Sequence, residues 1–281
     1  MPAIINTNIS SLNAQRNTSA SQMSLNVSMQ RLSSGLRVNS AKDDAAGLAI
    51  AERMNAQVRG MGVAIRNAND GISMAQTAEG ALSKVGDALQ RMRELAVQSR
   101  NGTNSDSDKN SLNKEFNELQ KEITRVLGGT AFNGKKILGA DGTTFTFQVG
   151  ANTSTDDSIS VDFENMVSNT DVSAVTVSTA TIGSTADSSA IASVIDNIDT
   201  ALDTINDKRA TFGATQSRFE AIISNLQVSV ENQSSARSRI VDADFAVETA
   251  NLSRAQILQQ AGNAMIAQAN QLPQQVLRLL Q

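Results

Sequence analysis

The segment DADF at 242–245 has the clearest potential for chemistry, because its two carboxylates stand two positions apart. Carboxylate oxygens can bind a divalent cation, and Ca²⁺ takes about six to eight such oxygen ligands. The residues around Asp242 and Asp244 do not supply further ligands in the spacing of a calcium loop. Acids also gather at helix starts, where they offset the positive end of the helix dipole. The pattern therefore favours a helix start over a metal site.

Catalysis and cofactor binding have little support in the composition. The chain contains no His and no Cys, so it lacks the usual neutral-pH proton shuttle, the thiol nucleophile and the best zinc ligands. Chemistry by carboxylate, Lys or Ser remains possible in principle. The segment GVAIRNANDGI contains glycines without the spacing of a phosphate cradle. We therefore expect neither an enzyme nor a cofactor.

Nucleic acid and membrane insertion are also disfavoured. The chain has 24 Lys and Arg against 28 Asp and Glu, without basic blocks, so phosphate binding has little electrostatic support. No stretch is apolar and long enough to predict a membrane span. The opening MPAIINTNISSLNAQRN is unlike a conventional secretory signal. If the protein leaves the cell, we expect a different export route.

Three further polar segments have simple structural interpretations. Lys42, Asp43 and Asp44 precede an apolar run and suit capping and charge at a helix start. The charged segment 90–101 suits a solvated face or a contact between subunits. The Ser- and Thr-rich region 152–190 suits either O-glycans or a plain solvated surface, and the residues leave that choice open.

The elements that would position these groups are mostly long helices. Apolar residues recur at three- and four-residue steps over 50–96 and, in a seven-residue pattern, over 191–230. A helix over 50–96 would be roughly 70 Å long. Asn101–Gly102 and Gly128–Gly129 predict the ends of two helices. Within the first long helix we expect the glycines to permit close helix contact. They are Gly60, Gly62, Gly80 and Gly86.

The predicted fold is mainly α, a long antiparallel coiled-coil bundle with a small β-hairpin region and paired N- and C-terminal helices. Alternating apolar residues place the hairpin near 143–164. Residues 165–190 are weakly patterned and predict an exposed surface connection. Because two thin terminal helices without aromatic residues bury too little area to be stable alone, we expect them to be disordered in the monomer and ordered only against neighbouring copies. Their apolar positions predict a self-assembly surface: Leu25, Met29, Leu32, Leu36, Leu252, Leu258, Met265 and Leu272.

The chain resembles bacterial flagellin, the flagellar filament subunit, in long segments at both ends. The N-terminal ones are INTNISSLNAQRN, LSSGLRVNSAKDDAAGLAIAERM, QRMRELAVQS and AFNGKKIL. GATQSRFEAIISNL and the whole stretch from ARSRIVDADF to the end follow in the same order. The resemblance covers about residues 1–150 and 190–281. It implies a short form with terminal D0 helices at 1–45 and 240–281. A D1 rod would occupy 46–164 and 191–239, with 165–190 in place of outer domains.

The same resemblance implies function, partners and site residues. The subunit would be exported unfolded by the flagellar type III apparatus with a flagellin chaperone, and would polymerise with copies of itself at the extracellular filament tip, for swimming motility. A filament cap protein and hook–filament junction proteins would be further partners. Arg91, Leu95 and Glu115 match the family's Toll-like receptor 5 patch. The leucines seen by cytosolic sensors would be Leu277, Leu279 and Leu280.

Other protein classes compete with this interpretation. A hook–filament junction protein shares flagellin-like ends and is the strongest alternative. An adhesin, a secreted effector or a hydrolase displayed on the filament are alternatives from other classes. The hydrolase would need a catalytic insert, and this chain has no His for a zinc-protease motif.

Overall fold

The computed structural model describes residues 7–278 and the side chains of residues 7–271. The chain forms two compact units. One comprises the residues up to 56 and from 231 onward, and the other comprises 57–230. The helices are α1 (Ile9–Ser34), α2 (Ala45–Ser99), α3 (Asp106–Gly129), α4 (Thr170–Thr176), α5 (Ser188–Val241) and α6 (Phe245–Arg278). The strands are β1 (Ala131–Phe132), β2 (Lys135–Lys136), β3 (Thr144–Gln148) and β4 (Ser158–Asp162).

Helix α2 begins and ends where the sequence places its signals. The Asp44 side chain accepts a hydrogen bond of 2.8 Å from the backbone N–H of Gly47, which satisfies one of the unpaired donors at the helix start. Asp43 accepts from Ser40 and Asn39 in the preceding turn, and these hydrogen bonds lower its pKa. The helix ends at Ser99, just before Asn101–Gly102. The capping interpretation is confirmed for Asp44, whereas Asp43 stabilises the turn that precedes the helix.

Helices α2 and α5 run antiparallel in the unit formed by 57–230. Arg93 donates two hydrogen bonds to Asp199, at 2.6 and 3.1 Å. Further towards the N-terminal end of α2, Glu79 accepts from Gln216. Residue numbers thus rise along one helix as they fall along the other. With α3 packed beside them, these helices confirm the predicted mainly α, antiparallel bundle.

Aromatic side chains join the predicted β-hairpin to the bundle. Strands β3 and β4 pair antiparallel, with Phe145 opposite Val161 and Phe147 opposite Ile159. The Phe147 ring meets Phe219 of α5 edge to face, with 5.5 Å between centroids. Phe163, just after β4, stacks on Phe212 of α5 at 5.0 Å. The hairpin predicted near 143–164 is confirmed, and it contributes to the core of this unit.

A second, shorter hairpin was not predicted. Strand β1 pairs antiparallel with β2 across the two residues Asn133 and Gly134. Both have positive φ, 48° and 81°, as a two-residue turn of the primed type requires. The Asn–Gly pair in AFNGKKIL was therefore the available signal.

The prediction that segment 165–190 is an exposed connection is wrong. It contains α4 and buries the side chains of Met166, Val172, Val175 and Ile182. Its apolar residues are too widely spaced to show a period, yet they reach the core because polar side chains of the bundle hold the irregular backbone. Gln120 alone donates to the carbonyls of Val175, Val177 and Ala180, so the buried carbonyls of Val175 and Ala180 remain paired.

The glycines of α2 also differ from expectation. A Cβ at Gly60 would lie 3.0 Å from Ala151 in the loop between β3 and β4, not against a helix. At Gly62, Gly80 and Gly86 an added Cβ would meet nothing within 4 Å. The close helix contact occurs instead at Gly71, where a Cβ would lie 2.7 Å from the Phe219 ring.

Replacing Gly80 by Ala should stabilise the monomer by about 0.5–1 kcal/mol, because Gly80 is exposed in a helix interior and Ala restricts the unfolded chain more. Gly71→Ala, the matched control, should destabilise it by about 1–3 kcal/mol through overpacking against Phe219. Urea unfolding of the two variants measures both effects. Equal shifts for both variants would contradict this account.

Candidate self-assembly surface

Helices α1 and α6 form an antiparallel pair. Asn8, the N-cap residue of α1, donates to the carbonyl of Ala269 near the far end of α6, at 2.8 Å. At the other end, Leu36 forms a β-bridge with Asp242, and Arg37 N–H donates to the carbonyl of Val241 at 2.7 Å. The predicted pairing of the terminal helices is therefore confirmed.

Small side chains let the two helices approach closely. A Cβ at Gly262 would lie 2.5 Å from Thr18 Oγ1, so a larger residue there would push the helices apart. Ala255 and Ala269 are buried on α6, and Ser11 is buried on α1. Because small side chains bury little apolar area, the stability of this pair depends more on close packing of the two helices than on large side chains.

One buried carboxylate lies within the pair. Glu248 of α6 is 6% exposed. Its Oε1 accepts from the Arg31 guanidinium at 2.9 Å and its Oε2 accepts from the Ser28 hydroxyl at 3.0 Å. Burial raises the pKa of Glu248, but the hydrogen bonds from Arg31 and Ser28 and the charge of Arg31 outweigh burial, and the net pKa is lowered. The carboxylate is therefore ionised and paired at neutral pH.

The two acids of DADF act at the start of α6. Asp244 Oδ1 accepts from the backbone N–H groups of Ala246 and Val247, at 2.9 and 3.2 Å. Asp242 takes part in the β-bridge through its backbone. Within residues 7–278, no group of three or more acids lies in an arrangement that could hold a metal ion. The helix-start interpretation of this segment is confirmed.

The predicted self-assembly residues occupy different environments. Leu25 is buried against the partner helix, whereas Leu32, Leu36 and Leu252 are half-buried. The side chain of Leu272 lies outside the described part of the chain. Met29, Leu258 and Met265 are more than half exposed, with Met265 at 62%.

More apolar surface is exposed on this pair than the sequence reasoning identified. Seven further large apolar residues project into solvent: Ile9, Leu12, Met23, Val27, Phe245, Val247 and Ile257. These residues lie outside the single apolar stripe that the sequence predicts on each helix, and that stripe itself includes the exposed Met29, Leu258 and Met265. Exposed apolar surface on this scale marks an interaction site.

Few charges interrupt this surface. Arg16 and Arg31 are the only charged residues of α1, and α6 has Glu248, Arg254 and Arg278. Since Arg31 and Glu248 pair with each other, little electrostatic repulsion opposes contact between copies of the pair.

The three residues of the expected receptor patch lie on α2 and α3. Arg91 is exposed and pairs with Glu115 at 2.9 Å and with Glu94 at 2.8 Å. The hydrogen bonds with Glu115 and then Glu94 raise the pKa of Arg91. Leu95 is fully buried, so it supports the packing beneath the patch and offers no surface of its own. Leu277 has no described side chain, and Leu279 and Leu280 lie outside the described residues.

Two family models match the two ends of this chain, and curated relatives align with nearly its whole length. The model of the bacterial flagellin N-terminal helical region matches residues 5–143, and that of the bacterial flagellin C-terminal helical region matches residues 195–280. The chain belongs to the bacterial flagellin family. It is 47% identical to a flagellin of Halalkalibacterium halodurans over 277 residues, covering 99% of each chain. It is 41% identical to a flagellin of Bacillus subtilis, covering 98% of this chain and 99% of that one.

A solved structure shows the same fold at low sequence identity. It is a putative flagellar hook-associated protein from Vibrio parahaemolyticus, with a TM-score of 0.58 and 11% identity. The match covers 71% of this chain and 100% of that one. At this identity the likeness concerns the fold alone.

Membership of the flagellin family establishes the function class. The chain is a structural subunit of the bacterial flagellar filament and not an enzyme, as predicted. It assembles with copies of itself into a homopolymer. The curated relatives give no support to the alternative of a hook–filament junction protein. None of the helices in the described part of the chain is apolar enough, over a sufficient length, to cross a membrane.

Glu248→Gln should weaken the α1–α6 pair by about 1–3 kcal/mol at neutral pH, because hydrogen bonds to a charged group are lost. The pKa of Glu248 is lowered from an ordinary value of 4.5 in the folded pair. Its contribution is therefore fully present above that value and is lost as the pH falls through the folded pKa. Thermal dissociation of filaments at about pH 7 and about pH 4 measures the difference between variant and parent.

The difference between Glu248→Gln and the parent should shrink on acidification. Glu231→Gln, which changes an exposed glutamate of α5, is the matched control and should behave like the parent at both pH values. A difference that stays constant with pH would contradict an ionised Glu248 in the folded pair.

Proposed function

We propose that the α1–α6 pair forms the inner contacts of the filament, with residues 1–45 and 240–281 as its D0 segment and 46–239 as the D1 segment. The observation that carries this proposal is the row of exposed apolar side chains on both helices, including Met29, Leu258 and Met265. Burying one large apolar side chain gains about 1.5–3 kcal/mol. Several such residues per subunit supply a strong driving force for polymerisation, and the near absence of charge leaves it unopposed. Ordering of these helices on assembly stays a prediction.

The route to the filament is proposed on the resemblance of the two ends to flagellins. The subunit passes unfolded through the flagellar type III export apparatus with a flagellin chaperone. It is then added at the extracellular tip beneath the cap protein, in a filament that begins at the hook–filament junction proteins. The small number of long-range polar contacts in the α1–α6 pair suits a segment that must open and re-form.

Innate immune recognition is proposed for two separate regions of the chain. Toll-like receptor 5 would contact Arg91 and Glu115, whose charged groups are exposed and joined to each other. Leu95 would act through packing, since it is buried under them. Cytosolic sensors would contact Leu277, Leu279 and Leu280, a proposal that rests on resemblance alone.

Leu258→Gln and Met265→Gln should each raise the critical concentration for elongation of filament seeds by about tenfold or more, because each loss of about 1.4 kcal/mol of contact energy corresponds to a factor of ten. The unfolding temperature of the monomer should not change, since both side chains are exposed. Sedimentation of seeded filaments measures the critical concentration.

Val228→Gln is the matched control, because Val228 is 55% exposed on α5 in the other unit. It should change elongation less than either variant of α6. An equal or larger effect at Val228 would show that the terminal pair is not the principal contact.

Arg91→Ala should reduce receptor signalling by purified monomer, because it removes the cation that organises Glu115 and Glu94. Arg93→Ala is the matched control, since Arg93 is an equally exposed arginine on the same helix whose ion pair is with Asp199. A reporter-cell assay of Toll-like receptor 5 activation compares the two. Equal loss from both variants would place the contact elsewhere or show a general effect on packing.

A further inference from the structure

A continuous groove follows one side of the α1–α6 pair. Two adjoining cavities of about 530 Å³ and 430 Å³ share Ser21 of α1 and Leu258 of α6 in their linings. They therefore form a single open channel on the surface, which we call the α1–α6 groove. It lies entirely within the unit that contains both termini.

The lining of the α1–α6 groove has the form of a seat for a helix. Ala14, Ser21 and Ser28 line it from α1 at intervals of seven residues. Leu258 and Met265 line it from α6, again seven residues apart. Seven residues are two helical turns, so each set faces one direction. Small residues on one side and apolar residues on the other allow a helix backbone to approach closely.

The occupant must be another surface of the same chain. The subunit forms a filament, and an open polymer of identical copies requires two different surfaces that fit each other. A groove that paired only with itself would close a dimer and stop growth. The α1–α6 groove therefore needs a complementary ridge elsewhere on the subunit.

Two exposed apolar stripes of the pair are candidates for that ridge. The stripe on α1 contains Leu12 and Met23, with Arg16 between them. Met23 itself lines the groove, so this stripe forms part of the groove wall. The stripe on α6 consists of Ala250, Ile257 and Ala264, which are all exposed and lie outside the groove lining. Of the two stripes, the one on α6 is therefore the separate ridge that a second copy can offer.

We propose that the Ala250–Ile257–Ala264 stripe of one copy seats in the α1–α6 groove of a second copy. The stripe has the same seven-residue interval as the groove floor, and both extend over about 21 Å. Ile257, 66% exposed, enters the groove at its centre, near Ser21, while the two alanines permit close approach on either side. The proposal rests on the proposed role of the α1–α6 pair in assembly and specifies which surfaces meet.

Single-cysteine cross-linking tests the proposal directly, because the chain has no cysteine of its own. Ser21→Cys and Ile257→Cys are made in separate chains, so that any disulfide between the two sites joins different copies. Each is mixed as a minority with unaltered subunits, polymerised on unaltered seeds and oxidised with diamide. The mixed filaments should yield at least about tenfold more dimer than filaments containing either variant alone, because a disulfide needs Cβ atoms about 3.5–4.5 Å apart.

Two outcomes of cross-linking overturn the proposal. One is the absence of Ser21–Ile257 dimers in filaments that contain both variants. The other is a dimer between Ser21→Cys and Leu12→Cys, which would assign the groove to α1 of the second copy. Either outcome leaves the role of the pair in assembly intact, whereas normal elongation by Leu258→Gln and Met265→Gln would remove that role itself.

Tryptophan variants test the proposal if the cysteine variants do not enter filaments. Ser21→Trp fills the groove and should lose most of its incorporation into pelleted filaments. Ser19→Trp, an exposed position of α1 outside the groove lining, is the matched control and should be incorporated. Equal incorporation of both tryptophan variants would overturn the proposal.

Discussion

The ionised carboxylate of Glu248, buried between α1 and α6, is the interaction on which the terminal pair depends. A buried charge is costly unless it is paired and its remaining oxygen is hydrogen-bonded, and here Arg31 and Ser28 satisfy both oxygens. Such a network does not make the pair unusually stable, because desolvation offsets much of the attraction. It does favour one register, since sliding either helix by one turn would leave the carboxylate unpaired. The positions of all the exposed apolar residues on the pair follow from that register.

The two units of the chain pack their interiors with different kinds of residue. Seven of the eight phenylalanines lie in the unit of 57–230, where Phe163, Phe212 and Phe219 fill the space between hairpin and helices. The terminal pair has none facing inward, and Gly262, Ala255 and Ala269 bring the backbones together instead. One unit thus has a complete core of its own. The other leaves much of its apolar surface uncovered, and this is the surface that we propose further copies of the chain cover.

Much of this architecture could be predicted from the sequence, because it depends on periodic patterns and strong local signals. The long helices follow from apolar residues at helical intervals, and the hairpin of β3 and β4 follows from alternation. The segment 165–190 could not be predicted, because its few core residues have no period and its backbone is held by distant side chains such as Gln120. Leu95 shows a similar limit of sequence reasoning. The resemblance to the receptor patch names Leu95 together with Arg91, but the structure shows that the Leu95 side chain is buried.

The hydrogen bonds from Gln120 to three carbonyls restrict where extra residues can be inserted in chains of this family. Gln120 holds the chain on both sides of Ser178 and Thr179, because the carbonyls of Val177 and Ala180 both accept from it. Ser178 and Thr179 form the exposed tip of the turn closed by the Ala180 N–H and the Val177 carbonyl. Residues inserted at this tip would leave the contacts of Gln120 in place where the two ends of the insert lie as close together as Val177 and Ala180 do.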